Sequence, residues 1–233
     1  MTKFNGPRKL KRKESYALRR RQTNSLLLRD KAVKSFEDGH YKEAIFLFSE
    51  LLRILPSYSK AYHNRGLAYS ELGDYRKAFA DFDKSRRLDR KNSRLSINRA
   101  FAYSRMGAFC QAIQEYNKYC KADPDFSLAY LERGKTFFKM GKFANARKDL
   151  FKAIKLDPGN KFTHHEPAYL YLSMIFYKKG DHKRANEYFN RAKKLESFSE
   201  NLVLVFDGIW QFAKDGFFPA LEYLYKNGKL AQK

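Results

Sequence analysis

The apolar positions of this chain repeat in register. Gly39, Gly73, Gly107 and Gly141 stand 34 residues apart, and Gly180 follows after 39. Two residues beyond each glycine lies a ring: Tyr41, Tyr75, Phe109, Phe143 and His182. Five beyond it lies an alanine: Ala44, Ala78, Ala112, Ala146 and Ala185. Seven before it the side chain is small: Ala32, Gly66, Ala100, Gly134 and Ser173. Fourteen before it Ser25, Ser59, Ser93 and Ser127 recur, with Glu166-Pro167 in the last copy. Self-similarity at such a period marks a repeat architecture.

Each position has a physical reading as part of an antiparallel helix pair. The serines are expected as N-caps, accepting bonds from orphan amides. Pro167 suits a first helical turn, where no amide donor is needed. The glycine suits the left-handed residue that ends a helix. The small residue and the alanine let the two helices approach closely. Rings fill the space between pairs: Tyr69, Tyr103, Phe137 and Phe176 on first helices, and Phe48, Phe82, Tyr116 and Phe189 on second helices. Pro56, Pro124 and Pro158 close three of the second helices. No β pattern competes with this reading.

This 34-residue pattern of small, aromatic, glycine, aromatic, alanine, aromatic and proline positions resembles the tetratricopeptide repeat (TPR). The resemblance covers residues 25–199 in five copies: 25–58, 59–92, 93–126, 127–160 and 166–199, with an insertion at 161–165 where a longer bend is expected. Arg90 and Ser197 replace the closing proline, and His182 replaces a ring. The resemblance implies an all-α fold, a right-handed superhelical solenoid of helix pairs. A solenoid needs end caps, and residues 200–233 are expected to supply the C-terminal one, with helices around 202–213 and 219–226. The apolar run Leu202 to Phe206 favours burial inside the chain's own cap, with a homodimer through that cap as the alternative to a monomer.

The resemblance also implies that the first helix of each pair lines a concave face. The second, fifth, ninth and twelfth positions of that helix then share a stripe. In order it holds Leu26, Arg29, Val33 and Phe36; Lys60, His63, Leu67 and Ser70; Arg94, Ile97, Phe101 and Ser104; Leu128, Leu131, Lys135 and Phe138; and Pro167, Leu170, Met174 and Tyr177. Asn64 and Arg105 border it, as do Lys139 and Lys178. The stripe mixes apolar anchors with positive charge and contains no acid, which suits an amphipathic, acidic peptide segment. Some members pack instead against the next repeat in the plainer reading. Chaperone-binding members of the family clamp a terminal carboxylate with Lys, Asn and Arg side chains. Arg29, Asn64 and Arg94 match that set in part, while Val33 and Asn98 break it.

Charge adds a second candidate. The net charge of the 233-residue chain is +23, of which residues 1–24 carry +8. That extension, expected to be flexible, contains Lys11-Arg12-Lys13 and Arg19-Arg20-Arg21. Such runs serve as nuclear-import addresses or nucleic-acid arms. With basic residues on second helices, such as Lys84, Arg87, Lys148, Lys152 and Lys155, they support an alternative as an RNA- or ribonucleoprotein-associated factor. Cys110 and Cys120 lie ten residues apart, about 15 Å along one helix. They are expected to be free thiols, which points to an intracellular place, cytoplasmic or nuclear.

No catalytic constellation stands out. His164, His165 and Glu166 lack the spacing of a zinc helix, so a loop without a ligand is expected there. No cofactor, metal or membrane span is expected, because no apolar run approaches the roughly 18 residues that crossing needs. The sequence reads as a binding scaffold or adaptor rather than an enzyme.

Overall fold

The computed structural model describes residues 23–90, 92, 94–160 and 165–195. Ten helices and no strands occur among them. Helix α1 occupies residues 23–37. It is followed by α2 (Tyr41–Ile54), α3 (Ser59–Glu71), α4 (Tyr75–Leu88), α5 (Arg94–Arg105), α6 (Phe109–Ala122), α7 (Ser127–Lys139), α8 (Phe143–Leu156), α9 (His165–Lys178) and α10 (His182–Lys193). The chain divides into two compact units between Met106 and Gly107. The N-terminal basic runs and the 200–233 cap, with its dimer reading, lie outside the described residues.

The repeat glycines do what their spacing requires. All five have φ between 73° and 82°, a region costly to side chains with a Cβ. Gly39 N–H donates to Phe36 O, and His40 N–H to Ser35 O. This is the Schellman closure, and it recurs at Gly73, Gly141 and Gly180. Each second helix then opens on the ring that follows: Tyr41, Tyr75, Phe109, Phe143 or His182.

The serines behave differently from the expectation. Ser59 and Ser127 are the first residues inside α3 and α7, and Tyr58 and Phe126 hold the cap positions without a side-chain bond. Ser25 lies within α1, and Ser93 lies outside the described residues. What the position needs is small size: Ser59 Oγ sits 3.4 Å from Ser85 Oγ of α4, and Ser127 is buried. The side-chain caps come instead from Asp74 and Asp181, which accept from the Lys77 and Arg184 amides. His165, assigned to the inserted bend, is already helical. Its amide donates to Asn160 Oδ1 at 3.0 Å.

Helix pairs are held by a seam and a staple. At the seam the small residue of the first helix meets a large one of the second. A Cβ on Gly66 would stand 2.8 Å from Phe82 and 3.1 Å from the Ala78 carbonyl, and a Cβ on Gly134 would stand 3.1 Å from Leu150. Ala44, Ala78, Ala112, Ala146 and Ala185 are all buried. Beside the seam runs the staple. Arg65 donates from Nε and Nη2 to the Asp81 carboxylate at 2.7 and 2.8 Å, and from Nη1 to Ser49 at 2.9 Å. One guanidinium therefore ties α2, α3 and α4. In the second unit Arg133 does the same to Asp149, at 2.6 and 2.8 Å, and to Asn117 at 2.8 Å. It ties α6, α7 and α8. Bidentate pairing of this kind fixes orientation as well as contributing energy.

The seam can be tested by adding one methyl group. Gly66→Ala gains about 1 kcal/mol of helix propensity but meets a ring and a backbone oxygen, and overpacking costs about 1–3 kcal/mol. It is expected to lower stability by about 1 kcal/mol in urea unfolding. Gly134→Ala meets Leu150 at 3.1 Å and the Ala146 carbonyl at 3.3 Å, a looser fit than at Gly66, and is expected to lie within about 0.5 kcal/mol of neutral. Equal losses at the two sites would disprove the seam as described.

Candidate functional site

In the first unit the stripe side chains of α1 and α3 enclose a cleft of about 230 Å³. Its lining is Arg29, Val33, Phe48, Tyr58, Lys60, Ala61 and Asn64. Val33, Phe48 and Ala61 make an apolar floor continuous with the core. Arg29, Lys60 and Asn64 supply polar groups, and the Tyr58 ring completes the lining. Phe36 is half-buried beside Tyr41, with ring centroids 5.5 Å apart. Leu67 packs against the second core cluster, around Phe82. Phe101 is half-buried, and Arg94 is exposed.

The positive charge of the stripe is partly balanced by nearby acids. Arg29 meets Asp30 at 2.8 Å, Arg105 meets Glu71 at 2.5 Å, and Lys135 meets Glu132 at 2.6 Å. Lys60 and Arg94 are exposed and have no acidic partner among the described residues. They are the stripe cations free to meet an acid from outside.

In the second unit the stripe is more closed. Phe138 is buried against Phe143 and Tyr171, with ring centroids 5.5 and 5.0 Å away. Met174 is 1% exposed. Tyr177 is half-buried and edge-on to His182 at 4.8 Å. Lys135 is half-buried in its pair with Glu132.

His63 is buried where α3 meets α5. The side-chain amide nitrogens of Asn98 and Asn92 face its Nε2 and Nδ1, and a neutral ring has one nitrogen that can accept from them. Burial, with Arg94 second, holds its pKa below the ordinary 6.5. Protonation would replace the acceptor with a donor facing another donor.

Cys110 and Cys120 are both free thiols on α6, one exposed and one buried. His165 Nε2 lies 3.2 Å from the Ile154 carbonyl. Among the described residues no group of three His, Cys, Asp or Glu side chains could hold a metal ion. No helix among them is long and apolar enough to cross a membrane. The basic residues Lys11, Arg12, Lys13, Arg19, Arg20 and Arg21 lie outside the described residues.

Several working residues were missed by the sequence reading. Arg65, Arg99 and Arg133 recur at 34-residue spacing, and that period was the signal for the staple. Asp30, Glu71 and Glu132, which neutralise stripe cations, lie outside the stripe and carried no such signal.

Helix pairs stacked in this way, with a cleft on first-helix faces, define a helical repeat scaffold. Tetratricopeptide repeat family models match residues 59–92, 127–160 and 167–197. The chain is a tetratricopeptide-repeat protein, with an all-α solenoid fold. Proteins of this superfamily act by binding other proteins. Among solved structures, MamA residues 41 to the end from Desulfovibrio magneticus RS-1 is similar at 24% identity and TM-score 0.63, over 74% of this chain and 94% of that one. PilF of Pseudomonas aeruginosa is similar at 17% identity and TM-score 0.66, over 91% of this chain and 95% of that one. Comparison with curated protein sequences gives no match.

His63 sets a pH dependence. A folded-state pKa below 6.5 means that the unfolded chain binds the proton more readily. The His63 contribution is therefore fully present above pH 6.5 and is lost as pH falls toward the lowered value. The thermal midpoint is expected to drop between pH 7.5 and 5.5, and to drop less in His63→Gln. Equal drops in the two proteins would remove His63 as the cause.

Proposed function

We propose that the chain is an interaction scaffold that holds an amphipathic, acidic segment of another protein along its first-helix faces. The observation that carries this reading is the cleft lined by Arg29, Val33, Phe48, Tyr58, Lys60, Ala61 and Asn64. It joins an apolar floor to cationic and amide groups, the combination that peptide-binding grooves use. An apolar side chain of the partner would enter against Val33, and a neighbouring carboxylate would meet Lys60. Arg94 offers a second cation from α5. Phe36, Leu67, Phe101 and Arg105 extend the proposed surface in the first unit, where burial withdraws His63 from it. Lys135, Phe138, Met174 and Tyr177 form its counterpart in the second, where burial leaves Lys135 and Tyr177 as the reachable members.

Affinity capture with the full chain tests this. Lys60→Ala/Asn64→Ala removes polar groups of the cleft without touching the seam or the staple. A nuclease-resistant protein partner captured by the parent chain is expected to bind the double variant about tenfold more weakly, as losses of about 0.5–1 kcal/mol at each position would give. Circular dichroism is expected to show unchanged helix content. Undiminished capture by the variant would exclude the cleft as the docking site.

A further inference from the structure

We propose that the outer face of the second unit binds single-stranded nucleic acid. The second helices α6, α8 and α10 carry basic residues at the same two repeat positions: Lys118 and Lys121, Lys152 and Lys155, Arg191 and Lys194 just past the end of α10. All six are exposed. Arg133 bridges α6 to α8 through Asn117 and Asp149. The rings of Phe151 and Tyr188, 5.9 Å apart, join α8 to α10. Equivalent positions on helices so tied make a band across the unit.

Within α6, α8 and α10 acids scarcely interrupt it, and just past α6 lie Asp123 and the exposed Asp125. Asp149 of α8 is buried and held by Arg133, and Glu115 of α6 is buried beside Lys118. Glu187 is exposed and pairs with Arg191 at 2.6 Å. Lys121, Lys152, Lys155 and Lys194 have no acidic partner among the described residues. Lys152 leans over the Tyr130 ring at 4.6 Å while remaining exposed. Next to Lys152 stands Phe151, 38% exposed. Two repeats earlier the same position holds Asp83, which takes Arg86 and Arg99 as partners. The second unit therefore has a ring where the first has a carboxylate.

This surface favours phosphates over an acidic polypeptide. A peptide gains affinity largely by burying apolar side chains, and one exposed ring offers little for that. A phosphate chain gains affinity by releasing counterions, which needs only cations on flexible stems. A ring beside them is a stacking platform for a base. This reading is separate from the cleft reading: the two use different helices, and either can fail while the other stands.

The test is a fluorescence-anisotropy titration of the full chain with a labelled 15-nucleotide uridine oligomer at stepped salt. Lys121→Gln/Lys155→Gln/Lys194→Gln is expected to reduce the slope of log affinity against log salt by about 2, at roughly 0.7 for each phosphate no longer neutralised. Phe151→Ala is expected to weaken binding about tenfold with the slope unchanged. The basic residues near the N-terminus are common to every variant, so they cancel in the comparison. An unchanged slope in the triple variant, with its helix content intact, would overturn the proposal. So would displacement of the oligomer by polyglutamate at equal charge concentration together with no effect of Phe151→Ala, an outcome that would assign the face to acidic polypeptides.

Discussion

The structure depends on how closely the two helices of a pair approach. At Gly66 the approach is so tight that a single added carbon would meet the Phe82 ring at 2.8 Å. Rigid, close-packed contacts of this kind fix register, because sliding by one residue would drive a side chain into the seam. Once Gly66 faces Phe82, the preceding residues on each helix, Arg65 and Asp81, must also be neighbours. They lie at the edge of the contact, with side chains 19% and 9% exposed, where a guanidinium can pair without losing all its water. The same logic places Arg133 against Asp149 beside Gly134 and Leu150. The ion pair is thus a consequence of the seam, and its third arm, to Ser49 or Asn117, carries the register into the preceding second helix.

That register decides which side chains are left for function. Every stripe residue of a first helix is either consumed by packing on the next helix or left facing outward. Around α1 and α3 the small Ala61 and the modest Val33 leave space, and a cleft remains. At the equivalent positions of α7 and α9 the larger Lys135 and Tyr171 stand in place of Val33 and Asn64, and Tyr171 meets Phe138 edge to face. One repeated geometry therefore yields an open surface in the first unit and a packed one in the second, and side-chain volume makes the difference.

The fold was legible because the residues that build it are constrained one by one. A glycine at φ near 75° admits few substitutes, and Gly39, Gly73, Gly107, Gly141 and Gly180 announced the end of every first helix. Alanines in the seam announced the close approach. The cap positions were misread because Ser59 and Ser127 satisfy two rules at once, the N-cap preference and the small-volume preference, and burial against the second helix decided for the latter. The stripe was readable as a list of positions but not as a charge distribution. Asp30, Glu71 and Glu132 sit in other columns of the repeat, and only side-chain geometry brings them to Arg29, Arg105 and Lys135. Met174 and Phe138 fit the helical period of an outward stripe, yet their exposure depends on what lies across from them, which no period encodes.

Periodicity also distributes charge in a way that a single domain with one core would not. Where one position faces solvent in successive repeats, a basic preference there builds a band instead of scattered points. Lys121, Lys155 and Lys194 are such a set. Acids at the neighbouring positions could have cancelled it, and in α4 Asp83 does hold Arg86 and Arg99. In α8 the nearest acid, Asp149, is turned inward by its bond to Arg133. The staple that holds the helix pair thereby removes a negative charge from the outer face. Structural pairing inside the repeat and uncompensated charge outside it are two results of the same arginine.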